Sequence, residues 1–319
     1  MKTRLFALMT LIATLLLPAA PAFSGQTFVL MPGTTVIGAS SPVMLHTTTK
    51  EDSLVELARH YGIGFNEIEI ANPGVDAFVP GENLQIRIPT LWVLPDAPME
   101  GIVINTSEMR LYYFAPAKKG TPVKVSTFPI GIGDEGTETP AGTWKISEKR
   151  VNPSWYPPAS IRKERPELPG VVPPGPENPL GTHAMRLSKT NFLVHGTHRP
   201  FGVGRQVSHG CIRLYPEHIP QLFNMVTIGT KVTIVKQPIK VGVRNKRVYV
   251  EIHEDPYIKI PNYLEATNAL LQKKGLLKLI STDKLYKAVR KKDGIPFDIT
   301  RDHKKEGPET PAAPDFWTL

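Results

Sequence analysis

The densest chemistry in this sequence lies in Ser208-His209-Gly210-Cys211-Ile212-Arg213-Leu214, which holds its single cysteine. A cysteine nucleophile needs a base for its proton, a partner orienting that base, and donors for the oxyanion formed during acyl transfer. His195 closes the apolar run Asn191-Phe192-Leu193-Val194-His195 and is expected at a strand terminus, facing outward. His209 and Gly210 directly precede the thiol. Gly210 lets the backbone approach a substrate closely, so the N–H groups of His209, Gly210 and Cys211 can converge on one oxygen. Arg213 would share the side of Cys211 in an extended segment. There it would favour the thiolate, clamp a substrate carboxylate, or be an ordinary surface arginine. The rival reading is a zinc site from His183, His195, His198, His209 and Cys211, but no pair has a familiar metal spacing.

The elements that must position these residues are mostly strands. Residues 101–116 alternate around a turn at Asn105-Thr106-Ser107, as a hairpin does. VKVSTFPIGIG, GTWKIS, NFLVHGT and KVTIVKQ add β-branched runs separated by Gly and Pro. The expectation is a mainly β fold, a sandwich or barrel, interrupted by a proline-rich insertion over residues 149–183 that reads as a lid. A helix is expected within YPEHIPQLFNMV.

Ahead of it, residues 44–90 read as strand, helix, helix and strand. Leu54, Leu57, Ala58 and Tyr61 share a helical face, Ser53 and Glu56 form a capping box, and Gly62 and Pro73 stop the two helices. After Pro238 come possible strands and two short helices closed by Gly275 and Gly294, with no chemical motif. Residues 303–319 are polar and proline-rich, a composition typical of disorder.

Lys2 and Arg4, an apolar run from Leu5 to Leu17 and the A-x-A-like Ala20-Pro21-Ala22 form the layout of a cleaved export signal over residues 1–24. That run is too short to span a bilayer. In an oxidising compartment cysteines usually pair, so a lone one is an intermolecular half-bridge, an inert buried thiol or a reactive one. The neighbours of Cys211 favour the last. The net charge of +9 is spread out; in an exported protein it fits an anionic envelope polymer better than nucleic acid.

HGTH at 195–198 and SHGCIRL at 208–214 closely resemble the active-site signature of the YkuD-type L,D-transpeptidases. So do PIGIG at 129–133, TPAGTW at 139–144 and NPLGTHAMRL at 178–187. The segment 44–90 resembles the LysM module, a small βααβ fold that binds peptidoglycan glycan, with Glu51-Asp52-Ser53 where most modules carry Gly-Asp-Thr. The resemblance implies a β-sandwich catalytic domain at 99–236, preceded by the LysM-like domain and followed by a mixed α/β extension at 237–302. It implies that Cys211 attacks the third residue of a peptidoglycan tetrapeptide, commonly meso-diaminopimelate, and expels D-alanine. An amine then takes the thioester, either from a second stem or from a lysine of an outer-membrane lipoprotein. His195 would be the base, oriented by the Gly196 carbonyl, with His209 auxiliary, Gly210 in the oxyanion loop and Arg213 functional. Ser208, Arg213, Trp155 and Asn178 are expected to contact substrate. No cofactor or metal is implied, and the location would be periplasmic. The alternatives are a hydrolase using the same residues and a non-catalytic wall-binding protein.

Overall fold

A computed structural model describes residues 25–255 and 257–302. The expected export signal (1–24) and tail (303–319) lie outside the described residues.

Strand β1 (Gln26–Leu30) is followed by a βααβ unit of β2 (Val36–Thr47), α1 (Leu54–His60), α2 (Phe65–Ala71) and β3 (Gln85–Val93). The Ser53 cap and the Gly62 stop form as expected, but the Glu56 carboxylate meets the Ser53 hydroxyl, so the reciprocal half of the expected capping box is missing. The Ser53 hydroxyl accepts the Glu56 N–H at 3.2 Å. Gly62, at φ +63°, ends α1 as its N–H and that of Ile63 return to the Arg59 and Ala58 carbonyls. Pairing of β2 with β3 runs from Val36–Val93 to Thr47–Gln85, beyond residues 44–90 on both sides. A register shift between Gly38 and Val43 breaks the alternation that would have marked the longer strand. Gly38 sits at φ +124°, where a Cβ would lie 2.2 Å from the Thr90 carbonyl oxygen.

The central part holds β4 (Gly101–Asn105), β5 (Arg110–Phe114), β6 (Val123–Pro129), β7 (Ile132–Gly133), β8 (Gly142–Val151), α3 (Ala159–Glu164), β9 (His183–Leu187), β10 (Leu193–His195), β11 (Gln206–Ser208), β12 (Ile212–Arg213), α4 (Ile219–Met225) and β13 (Lys231–Val235). One nine-stranded sheet has the order β1-β6-β5-β4-β13-β8-β9-β10-β12, while β7 and β11 pair separately. The expected sandwich is therefore a single curled sheet. Its corner is β8, which pairs with β13 through Lys145 and, past a bulge between Ile146 and Glu148, with β9 through Val151. Ile104, Leu111, Phe128, Met185, Val194, Ile212 and Ile234 from both limbs fill one core, sealed by Ile219 and Leu222 of α4.

The N-terminal unit does not stand apart. Leu54, Ile63 and Trp92 pack with Tyr112, Phe114 and Val125 in a second core. Beneath it Glu67 of α2 and Arg110 of β5 form a buried ion pair at 2.6 Å. The indole N–H of Trp92 and the Gly64 amide also donate to the Glu67 carboxylate. The last part, β14 (Ile239–Arg244), β15 (Arg247–Ile252), α5 (Tyr263–Lys273), α6 (Thr282–Lys291) and β16 (Phe297–Asp298), is a three-stranded sheet with two packed helices. Gly275 and Gly294 both take positive φ just beyond the helices. Among the described residues no helix is long and apolar enough to cross a membrane.

Candidate active site

The site is laid out by two short parallel strands. β10 and β12 pair Val194 with Ile212 and His195 with Arg213. Val194 and Ile212 are fully buried in the core. Alternation then puts Leu193, His195 and Arg213 on the opposite face, and continuing the register by one residue sets Cys211 beside Leu193. All four line a cavity of about 490 Å³. The insertion adds Trp155, Tyr156, Pro158, Ser160 and Ile161 to the lining.

His195 is buried and its Nδ1 lies 2.6 Å from the Gly196 carbonyl oxygen. A carbonyl only accepts, so the proton sits on Nδ1 and Nε2 carries the lone pair. Burial, reinforced by the Arg213 charge, lowers the imidazole pKa to about 3, against the opposing pull of the Gly196 and Leu180 carbonyls. Gly196 has no room for a side chain, since a Cβ there would meet Ile219 Cγ2 at 2.9 Å.

The loop before Cys211 is held by its carbonyls. Ser208 O accepts from the Asp134 N–H at 2.8 Å and the Thr137 hydroxyl at 3.1 Å. The Thr139 hydroxyl donates to Gly210 O, and the Ser208 hydroxyl to Cys211 O at 2.6 Å. By contrast, the N–H groups of His209, Gly210 and Cys211 donate to no protein acceptor among the described residues. Three adjacent amides without acceptors beside a thiol can serve an oxyanion. Gly210 takes φ +93°, and a Cβ would lie 2.4 Å from Phe192 Cε1, so only glycine fits this turn.

With this geometry in place, the comparison with known proteins is direct. The family described as YkuD, L,D-transpeptidase catalytic domain, matches residues 100–234. A protein of Escherichia coli strain K12 named probable L,D-transpeptidase YcfS is 42% identical over 262 residues, covering 78% of this chain and 81% of its own. The chain belongs to the YkuD family of L,D-transpeptidases. Probable L,D-transpeptidase YbiS of the same strain is 39% identical over 230 residues, covering 70% of this chain and 71% of its own. The solved catalytic domain of the Enterococcus faecium L,D-transpeptidase is 22% identical, covers 44% of this chain and 100% of its own, and has a TM-score of 0.34.

Other expected site residues of this YkuD-family chain fall in different places. Trp155 lies in the cavity wall, bridged to Val172 by two backbone hydrogen bonds of 2.8 Å. Asn178 does not line the cavity. It is fully buried, its amide N–H groups go to the Pro153, Val172 and Pro173 carbonyls, and its Oδ1 accepts from Leu180. An amide so occupied braces the insertion and has nothing left for substrate. The Ser208 hydroxyl is likewise committed to its own loop. His209 is exposed, and its Nε2 lies 3.1 Å from Glu164 of α3, tying the lid to the loop. His183 packs on Phe223. Among the described residues the only group of His, Cys, Asp and Glu within ligand distance is Glu108, Glu251 and His253, so the five residues of the zinc reading are not brought together.

Burial pushes the Cys211 thiol above the ordinary value, outweighing the Leu193 backbone hydrogen bond and the Arg213 and Arg186 charges. Thiol and imidazole therefore both rest neutral in the shared cavity, the Arg213 charge lowering the thiol pKa without overcoming burial. Arg213 itself is largely buried, its Nε has no partner, and among the described residues it forms no ion pair. An unpaired guanidinium in a cavity wall is poised for a carboxylate from outside.

Proposed function

We propose that this protein is an L,D-transpeptidase that acylates Cys211 with a peptidoglycan tetrapeptide stem and passes the acyl group to an amine. The observation carrying this reading is the face shared by Cys211, His195 and Arg213 beside amides that have no acceptor. The terminal carboxylate of the stem pairs with Arg213. His195 Nε2 takes the thiol proton as Sγ bonds to the carbonyl carbon, and the resulting oxyanion meets the loop amides. As the tetrahedral carbon collapses, the C–N bond breaks and imidazolium returns the proton to the leaving D-alanine amine. An incoming amine then attacks the thioester, giving its proton to His195 and releasing the thiol. Each oxyanion donor is worth roughly 10²–10³ in rate, and the lid limits water, favouring transfer over hydrolysis.

The acceptor is an amine of a second stem, giving a 3→3 cross-link, or a lysine of an outer-membrane lipoprotein. The βααβ unit acts as a LysM-type glycan anchor, and the protein works in the periplasm after removal of its export signal. The test is intact mass spectrometry of the purified protein with a disaccharide-tetrapeptide. Loss of D-alanine with an adduct on Cys211, absent in Cys211→Ala, is expected, followed by dimers; an unmodified mass would sink the reading.

A further inference from the structure

The sheet face that carries the thiol continues across two more strands. β9 pairs with β10 through Arg186–Leu193 and Ala184–His195. β8 pairs with β9 through Glu148–Arg186 and Arg150–Ala184. Two adjacent rows result: Glu148, Arg186, Leu193 and Cys211 in one, and Arg150, Ala184, His195 and Arg213 in the other. Glu148, Arg150 and Arg186 line the same cavity as the thiol. Arg186 thus stands two strands from Cys211, about 10 Å at the backbone, and Glu148 and Arg150 one strand further, with Leu193 and Ala184 as an apolar floor.

The cluster is half satisfied. Arg186 Nε donates to Glu148 Oε2 at 3.0 Å, and Arg150 Nε donates to Oε1 of the same carboxylate. The terminal Nη groups of both arginines have no partner among the described residues, and the two side chains are 36% and 53% exposed. Two guanidiniums on one carboxylate leave one net positive charge. A carboxylate fits the Nη groups, and the Glu148 oxygens keep lone pairs for an ammonium. The complement is a group bearing both.

We propose that Glu148, Arg150 and Arg186 form a subsite for the zwitterionic amino-acid end of the donor residue's side chain, its methylenes lying over Leu193 and Ala184. This rests on the acyl-transfer reading above. A diamino diacid such as diaminopimelate presents that end several bonds from the reacting carbonyl. A lysine at the same position offers only an ammonium, which meets net positive charge. The subsite selects the donor, while Arg213, two residues along the chain from the thiol, holds the leaving residue's carboxylate.

The test measures D-alanine release and Cys211 adduct formation by the full chain with disaccharide-tetrapeptides carrying meso-diaminopimelate or L-lysine at the third position. The wild type should prefer the diaminopimelate donor by about 10–100-fold in kcat/KM, the range of a charge-assisted hydrogen-bonded pair. Arg186→Gln should bring that ratio close to one by losing activity on the diaminopimelate donor, and Arg150→Gln, at the more exposed arginine, should lower the ratio with less risk to folding. Equal use of both donors by the wild type, or an unchanged ratio in both variants, would overturn the subsite while acyl transfer stood. No adduct from either donor would overturn the parent reading too.

Discussion

At the scale of single residues, burial leaves both Cys211 and His195 uncharged at rest. Alkylation of Cys211 by iodoacetamide should rise with pH only above the ordinary thiol range, with no acid-side plateau of the kind an ion pair gives. Since the folded His195 pKa is lowered to about 3, its imidazole stays basic between pH 7 and 5, so kcat/KM should show no loss of the base in that interval. His195→Ala should cost on the order of 10²–10⁴ in acylation rate, the usual range for a general base. His209→Ala, which breaks only an exposed contact with Glu164, should cost a few-fold at most; the opposite ranking in stopped-flow acylation would reassign the base. Residue types and spacing made Cys211, His195 and Gly210 legible, because a lone thiol, a strand-end imidazole and a glycine each mark a local requirement. The scaffold role of Asn178 was not legible, because nothing in its own neighbourhood tells that its amide will close on Pro153, 25 positions away.

At the scale of elements, the loop between β11 and β12 is shaped by what lies behind it. Tyr257, from the segment after β15, donates its hydroxyl to the Gly133 carbonyl at 2.5 Å. Burial raises the phenol pKa to about 12, so it remains a donor. Gly133 pairs with Ser208 across β7 and β11, which connects the C-terminal part to the catalytic loop. Tyr257→Phe leaves that carbonyl without its donor, a loss of about 1 kcal/mol; kcat should fall several-fold with KM little changed, and equal effects on both would argue for general loosening. Helices with clear caps and the β4–β5 hairpin could be read from local sequence. The curl of the sheet could not, since it depends on one bulge in β8, and neither could this contact, which joins residues 124 positions apart.

At the scale of the whole molecule, three parts meet in one buried charge cluster. Lys240 Nζ bonds Glu108 at 2.5 Å, Glu251 at 2.8 Å and the Val93 carbonyl at 2.7 Å. His253 lies 2.7 Å from Glu251, and Tyr112 and Asn105 donate to Glu108. The sequence after Pro238 gave no hint of this, because its charges look like ordinary surface charges until their partners from β3 and the β4–β5 turn are in place. Lys240→Met leaves two carboxylates facing each other out of water, and urea unfolding should show a loss of about 3–5 kcal/mol; a shift below 1 kcal/mol would show the cluster to be dispensable. The position of β13 has a consequence for biogenesis. It lies between β4 and β8 at the middle of the great sheet, yet it is the last of those nine strands to be synthesised. Before it is made, the two limbs of that sheet can meet only through their shared core and the short pairings of Gly131 with Arg213 and of β7 with β11. The great sheet can therefore close only once the residues after 230 have been made.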